Sequence, residues 1–194
     1  MKMKQMLLLL SLMTISTASW AQSSYGVRAG MNLANVRYIW DGVKLSSTTK
    51  VGLNIGAFAN FSLNEQISIQ PELGFSQMGS KFDGGNETFN YVTLPLLTKY
   101  SLKNWGIYAG PQLAFLSSAK DKSDGQSEST KQYYNSTDFA AIIGADYSFT
   151  DKIFFNARYQ LGLSNILEMQ EMEQDDISEK MRNTGLTLSI GYKF

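Results

Sequence analysis

From Thr184 to Phe194 the chain alternates without a miss. Leu186, Leu188, Ile190, Tyr192 and Phe194 fall on one side, and Gly185, Thr187, Ser189, Gly191 and Lys193 on the other. A period of two marks a β-strand with one apolar and one polar face. Such a strand with a free edge invites aggregation in a soluble protein. It fits a sheet closed on itself, with the apolar face turned to lipid, and the expectation is that this strand closes a barrel.

The rest of the sequence repeats that grammar. Apolar residues alternate with polar ones and glycines over 24–33, 50–63, 66–82, 88–102, 105–117, 137–149 and 153–164. With the terminal strand this predicts about eight strands, each near the roughly ten residues that a tilted strand needs to cross a bilayer. Short turns are expected at Asn64-Glu65, Lys103-Asn104 and Thr150-Asp151. Longer connections are expected after strands one, three, five and seven, including the low-complexity polar segment 118–136 and the charged segment 167–180. Short turns on one side and long loops on the other are the habit of outer-membrane barrels, and an even strand count leaves no free edge. The fold expected is all-β: an eight-stranded antiparallel up-and-down transmembrane β-barrel.

Targeting signals agree. Lys2 and Lys4 precede the apolar run 6–15, and Ser19-Trp20-Ala21 offers small residues to a signal peptidase. The expectation is a leader over 1–21, cleaved after Ala21, and a barrel domain over 22–194 in the outer membrane. The chain has 17 basic and 17 acidic residues, and loss of Lys2 and Lys4 leaves a net charge of −2. No basic excess points to a nucleic-acid partner. Aromatic residues near strand ends (Tyr25, Phe61, Tyr100, Trp105, Phe149, Phe155 and Tyr192 by the turns; Phe75, Phe89, Phe115, Phe139 and Tyr159 toward the loops) suggest two interfacial girdles. Pro71, Pro95 and Pro111 fall inside strands, where proline removes a ladder bond, and bulges are expected there.

The prolines also carry a resemblance. Ile69-Gln-Pro-Glu-Leu73 with Gly79-Ser-Lys81, then Tyr91-Val-Thr-Leu-Pro-Leu-Leu-Thr-Lys-Tyr100, then Tyr108-Ala-Gly-Pro111 resemble successive strands of the PorT-like outer-membrane β-barrel family. The segment Gly26-Val-Arg-Ala-Gly-Met-Asn-Leu33 is similar to its first strand. The resemblance implies a small barrel in the outer membrane of a Bacteroidetes-type bacterium. Most members of that family have no assigned activity, and its founding member is linked to secretion and gliding machinery.

The inward face is expected to be polar: Arg28, Asn54, Asn60, Gln70, Glu72, Lys99, Gln112, Asp146, Asn156, Arg158, Gln160 and Lys193. Eight strands leave a lumen that side chains fill, so Arg28, Glu72, Lys99, Asp146 and Arg158 are expected to form mutually neutralising pairs, since an unpartnered charge there is costly. The sequence has no histidine and no cysteine, which removes Ser-His-Asp and thiol catalysis. The acidic run 168–176 lacks the glycine and alternating oxygens of a defined Ca²⁺ loop and reads as a solvated loop, with scope for a short helix. No cofactor or metal is expected. The reading is a non-enzymatic barrel, structural, adhesive or an envelope-assembly partner acting through its loops. The alternative is a narrow channel or small-solute transporter. Its partners are outer-membrane lipid, envelope proteins at the loops, and the barrel-assembly machinery, which would read Leu188, Ile190, Tyr192 and Phe194.

Overall fold

A computed structural model of the protein describes residues 23–40, 43–82, 84–123, 126–168 and 180–194. The expected leader with its cleavage point and nearly all of the acidic run 168–176 lie outside the described residues. The strands are β1 (Ser23–Trp40), β2 (Val43–Ser46), β3 (Thr48–Ser62), β4 (Ile67–Phe82), β5 (Gly85–Leu102), β6 (Trp105–Ser123), β7 (Gln126–Ser129), β8 (Thr137–Ser148), β9 (Ile153–Gly162) and β10 (Lys180–Lys193). All pairing is antiparallel. Eight strands, all but the short β2 and β7, follow one another around a ring that β10 closes on β1, from Gly26↔Lys193 to Ile39↔Lys180. The expected eight-stranded barrel is the fold observed.

Local chemistry sets the turns between β3 and β4 and between β8 and β9. Asn64 Oδ1 accepts the backbone N–H groups of Gln66 and Ile67 at 2.9 and 2.7 Å, and Thr150 Oγ1 accepts that of Ile153 at 3.0 Å. These side chains satisfy donors that a two-strand reversal would otherwise leave open. Val27, Leu53, Leu73, Leu94, Ile107, Ile143 and Ile190 all stand on the outer wall with 42% or more of their surface uncovered by protein. An apolar band of that extent is a lipid-facing surface.

Three expectations are corrected. The prolines do not create bulges: the register is the same on both sides of each one. Pro71 pairs with Leu96, Pro95 with Gln112 and Pro111 with Ala141, each on the following strand, while pairing with the preceding strand skips that position. An antiparallel residue directs its N–H at only one neighbour, so a proline can lose that bond and keep its place opposite the other strand. The shifts in register fall instead toward the long-loop end, between Thr49 and Asn54 and between Asn90 and Tyr91.

The strands also run further than alternation indicated. β1 continues past Leu33 to Trp40, β6 continues to Ser123 and pairs with β7 inside the supposed low-complexity loop, and β10 begins at Lys180. β4 and β5 reach Phe82 and Gly85, so the second outer connection is tight rather than long. Above the lipid band both faces of a hairpin can be polar, and the sequence period vanishes although the pairing persists. Lastly, Phe89 is not part of a girdle. It points inward and is fully buried.

Candidate functional site

The lumen is filled from one end to the other. At the short-turn end Phe58 and Phe154 meet edge to face, ring centroids 5.7 Å apart. Gly26 and Gly191 make room for them: a Cβ on Gly26 would lie 2.3 Å from Phe58 Cζ, and one on Gly191 2.0 Å from Phe154 Cζ. Lys193 lies over the Phe154 ring at 5.4 Å and donates to Ser148 Oγ at 3.3 Å.

Above the aromatics sit the charges. Lys99 Nζ is 2.6 Å from Asp146 Oδ2, in space that Gly106 leaves open. Glu72 projects from β4 between two arginines. Arg28 Nη2 on β1 and Arg158 Nη1 on β9 both donate to Oε2, at 3.0 and 2.8 Å, and Arg158 Nη2 donates to Oε1 at 3.2 Å. Gln70 donates to the same Oε1 at 2.8 Å, so the carboxylate is fully surrounded by donors. Arg28 Nη1 also donates to Asn54 Oδ1, and Arg158 Nε to Asn156 Oδ1 at 3.1 Å. Asn156 in turn donates to the Tyr108 hydroxyl at 2.6 Å, and the Arg158 guanidinium lies 5.3 Å from the Tyr108 ring centre. All five charged residues are at most 5% exposed. Burial this complete is tolerable because each charge is opposed and hydrogen-bonded.

The structure therefore gathers the five lumen charges into two clusters, Arg28–Glu72–Arg158 and Lys99–Asp146. Gln112 and Gln160 pair with each other at 3.2 Å. Asn60, also expected inside, is only half-buried. Leu188, Ile190 and Tyr192 lie on the outer face of β10, and Phe194 follows its last residue. There the Phe194 ring packs 5.7 Å from that of Tyr192, and its N–H donates to Tyr25 O at 2.9 Å.

The upper seal was not foreseen from alternation. Toward the long-loop end Ala34, Val36, Met78, Phe89, Tyr91, Ala114, Leu116, Ala119, Tyr134, Ile166 and Met181 make a buried apolar cluster inside the ring. Tyr134 and Ile166 belong to connections rather than strands. They are folded over the mouth by hydrogen bonds from Asn135 N–H to Ile166 O at 2.9 Å and from Ile166 N–H to Met181 O at 2.9 Å. Tyr134 lies edge-on to Phe89, centroids 4.7 Å apart, and donates its hydroxyl to Glu87. Below this layer Asn183 links the Tyr91 hydroxyl and Asp138, at 3.0 and 2.9 Å. Two aromatics at alternate positions of one strand, Phe89 and Tyr91 on β5, were the available signal.

Chemically, the lumen holds charge but offers it to nothing. Glu72 is saturated by two guanidiniums and an amide and Asp146 is paired with Lys99, and among the described residues no group of three or more His, Cys, Asp or Glu is placed to hold a metal ion.

Comparison with known proteins agrees with this architecture. The sequence profile of a family described as "Outer membrane protein beta-barrel domain" matches residues 20–168. In fold the chain is similar to Neisserial surface protein A, with a TM-score of 0.57 and 14% identity over 89% of this chain and 99% of that one. It is also similar to Ail, the attachment invasion locus protein of Yersinia pestis, with a TM-score of 0.53 and 18% identity over 89% and 99%. No curated protein matches the sequence. Identities this low speak for a shared fold alone.

Proposed function

The chain belongs to the outer membrane protein β-barrel domain family, and from that premise we propose that it works through its long-loop end, as an adhesive or assembly-partner protein of the cell envelope, without catalysis. One observation carries this reading: the lumen is closed at both ends, by Phe58 and Phe154 below and by the cluster around Phe89, Tyr91 and Tyr134 above. A pore needs a continuous wet path, whereas here apolar side chains flank the charged middle. Function then falls to what rises above the lipid band, the hairpins β4–β5 and β6–β7 and the segment 130–136. The absence of histidine and cysteine supports a non-enzymatic role.

Within this reading, a leader ending at Ala21 exports the chain, and the outer face of β10 is what the barrel-assembly machinery engages. The PorT-like grouping rests on the resemblance of the motifs around Pro71, Pro95 and Pro111. Crosslinking on intact envelopes, with capture through a tag at the short-turn end, tests the role. Specific envelope proteins should be captured, and capture should fall when 120–129 is deleted. Planar bilayers should be silent. Unit conductance that changes with Arg158→Ala would overturn the proposal in favour of a channel.

A further inference from the structure

The seam between β1 and β10 carries a charge arrangement that the lumen does not explain. Val36 and Met181 point inward and are fully buried, so their neighbours Arg37 and Arg182 stand on the outer wall. The register sets these two arginines directly opposite each other. Like charges at directly opposed positions repel. Neither arginine takes part in an ion pair among the described residues, and Arg182 Nε is a buried donor with no acceptor. Exposed Lys180 lies on the same outer face, two pairs further up the strand.

Height and sign say what such a group faces. The last apolar pair on this seam is Leu33↔Leu186, and Arg37↔Arg182 lies four residues above it. That is roughly 10 Å higher for strands of about 3.4 Å rise tilted by about 40°, the depth of headgroups rather than of hydrocarbon. Elsewhere on the outer wall above the band, Lys81 on β4 and Lys120 and Lys122 on β6 are exposed, whereas Glu87 on β5 and Asp121 on β6 turn inward; exposed Glu128 on β7 stands opposite Asp121. At the short-turn end Glu65 and Asp151 balance Lys103 and Lys152. Among the described residues, the outer face of the wall strands above the band thus presents cations and no carboxylate.

We propose that Arg37 and Arg182, with Lys180, form a binding site for the phosphate of an anionic lipid headgroup in the leaflet at the long-loop end. A phosphate placed between the guanidiniums accepts charge-assisted hydrogen bonds from both and removes their repulsion. This site is independent of the role proposed for the loops, and either can fail without the other.

The test uses the full chain, purified as a folded barrel in zwitterionic detergent, and native mass spectrometry with bisphosphorylated lipid A as the probe. The protein should bind it, and R37Q/R182Q should bind about thirtyfold more weakly, as expected for the loss of two cations near an anionic surface. K103Q/K152Q, at the opposite end, should bind as the parent does. If the double variant fails to migrate as a folded barrel, each single substitution reads the same site at about fivefold. R37E creates an ion pair with Arg182, so it should keep the barrel's stability while losing the lipid, which a purely structural pair would not do. Undiminished binding by R37Q/R182Q overturns the proposal. So does equal binding of dephosphorylated lipid A, which would assign the affinity to acyl chains. Competition by inorganic phosphate at the concentration of the lipid would assign the site to a free anion and overturn it too.

Discussion

Arg28, two strands from Glu72 around the ring, and Arg158, across the lumen from it, share one of its oxygens, at 3.0 and 2.8 Å. They lie 44 and 86 residues from it in sequence. One carboxylate thus ties β1, β4 and β9 together across the lumen.

Glu72→Gln leaves two buried guanidiniums without a counter-charge and should destabilise the barrel by about 3–5 kcal/mol. Arg28→Gln should cost less, because Arg158 still engages both carboxylate oxygens. Urea unfolding of the refolded protein in lipid, followed by tryptophan fluorescence, checks the order. Equal costs for the two variants would contradict the sharing described here.

Gly191→Ala should be poorly tolerated, since its Cβ meets the Phe154 ring. Adding Phe154→Leu should restore part of the loss, giving a coupling of about 1 kcal/mol or more between the two positions. A double-mutant cycle in the same unfolding assay measures it, and additive effects would refute the tight fit.

Deleting Phe194 removes the N–H bonded to Tyr25 O and the ring against Tyr192. Outer-membrane levels of the folded, heat-modifiable form should fall further than after removal of 120–129. Normal levels would refute a role for the terminal residue in assembly.

Glu87 sits on the part of β5 above the lipid band, which begins at Val92. Burial, and then the facing Asp121, push its carboxyl above the ordinary value of 4.5, against the Tyr134 hydrogen bond and the Lys50 ammonium; Tyr38 also faces it. A raised carboxyl favours the neutral form in the folded state, so its contribution is complete in acid and is lost as pH rises through the raised value. The upper seal should therefore be firmer near pH 4 than at pH 7. Exchange protection of the Asn135 N–H, corrected for intrinsic rates, should fall across that interval, and Glu87→Gln should flatten the dependence.

Much of this was legible in the chain. Alternation located all eight wall strands and kept Glu72 and Arg158 on the inner face straight past Pro71, because the lipid-facing wall forces every second residue to be apolar. Legibility ended where that force ends. Gln126–Ser129 pairs as a strand without any period, since water lies on both of its sides. Phe89 looked like a girdle residue because lipid and lumen both accept an aromatic, and residue type alone does not separate them. Tyr134 and Ile166 could not be foreseen as a seal, because they reach the mouth from connections whose path no periodicity records.

The skipped pairings beside Pro71, Pro95 and Pro111 fall between β3 and β4, β4 and β5, and β5 and β6. In a ring of eight, the β5–β6 gap lies diametrically across from the junction of β1 with β10. The wall therefore resembles a bracelet with a clasp and, facing it, a pliant link. While the clasp is still open, as in any chain not yet closed, bending concentrates in that link. Its missing bonds, like those of the two gaps beside it, make flexure there cheaper than at an evenly paired stretch of the sheet.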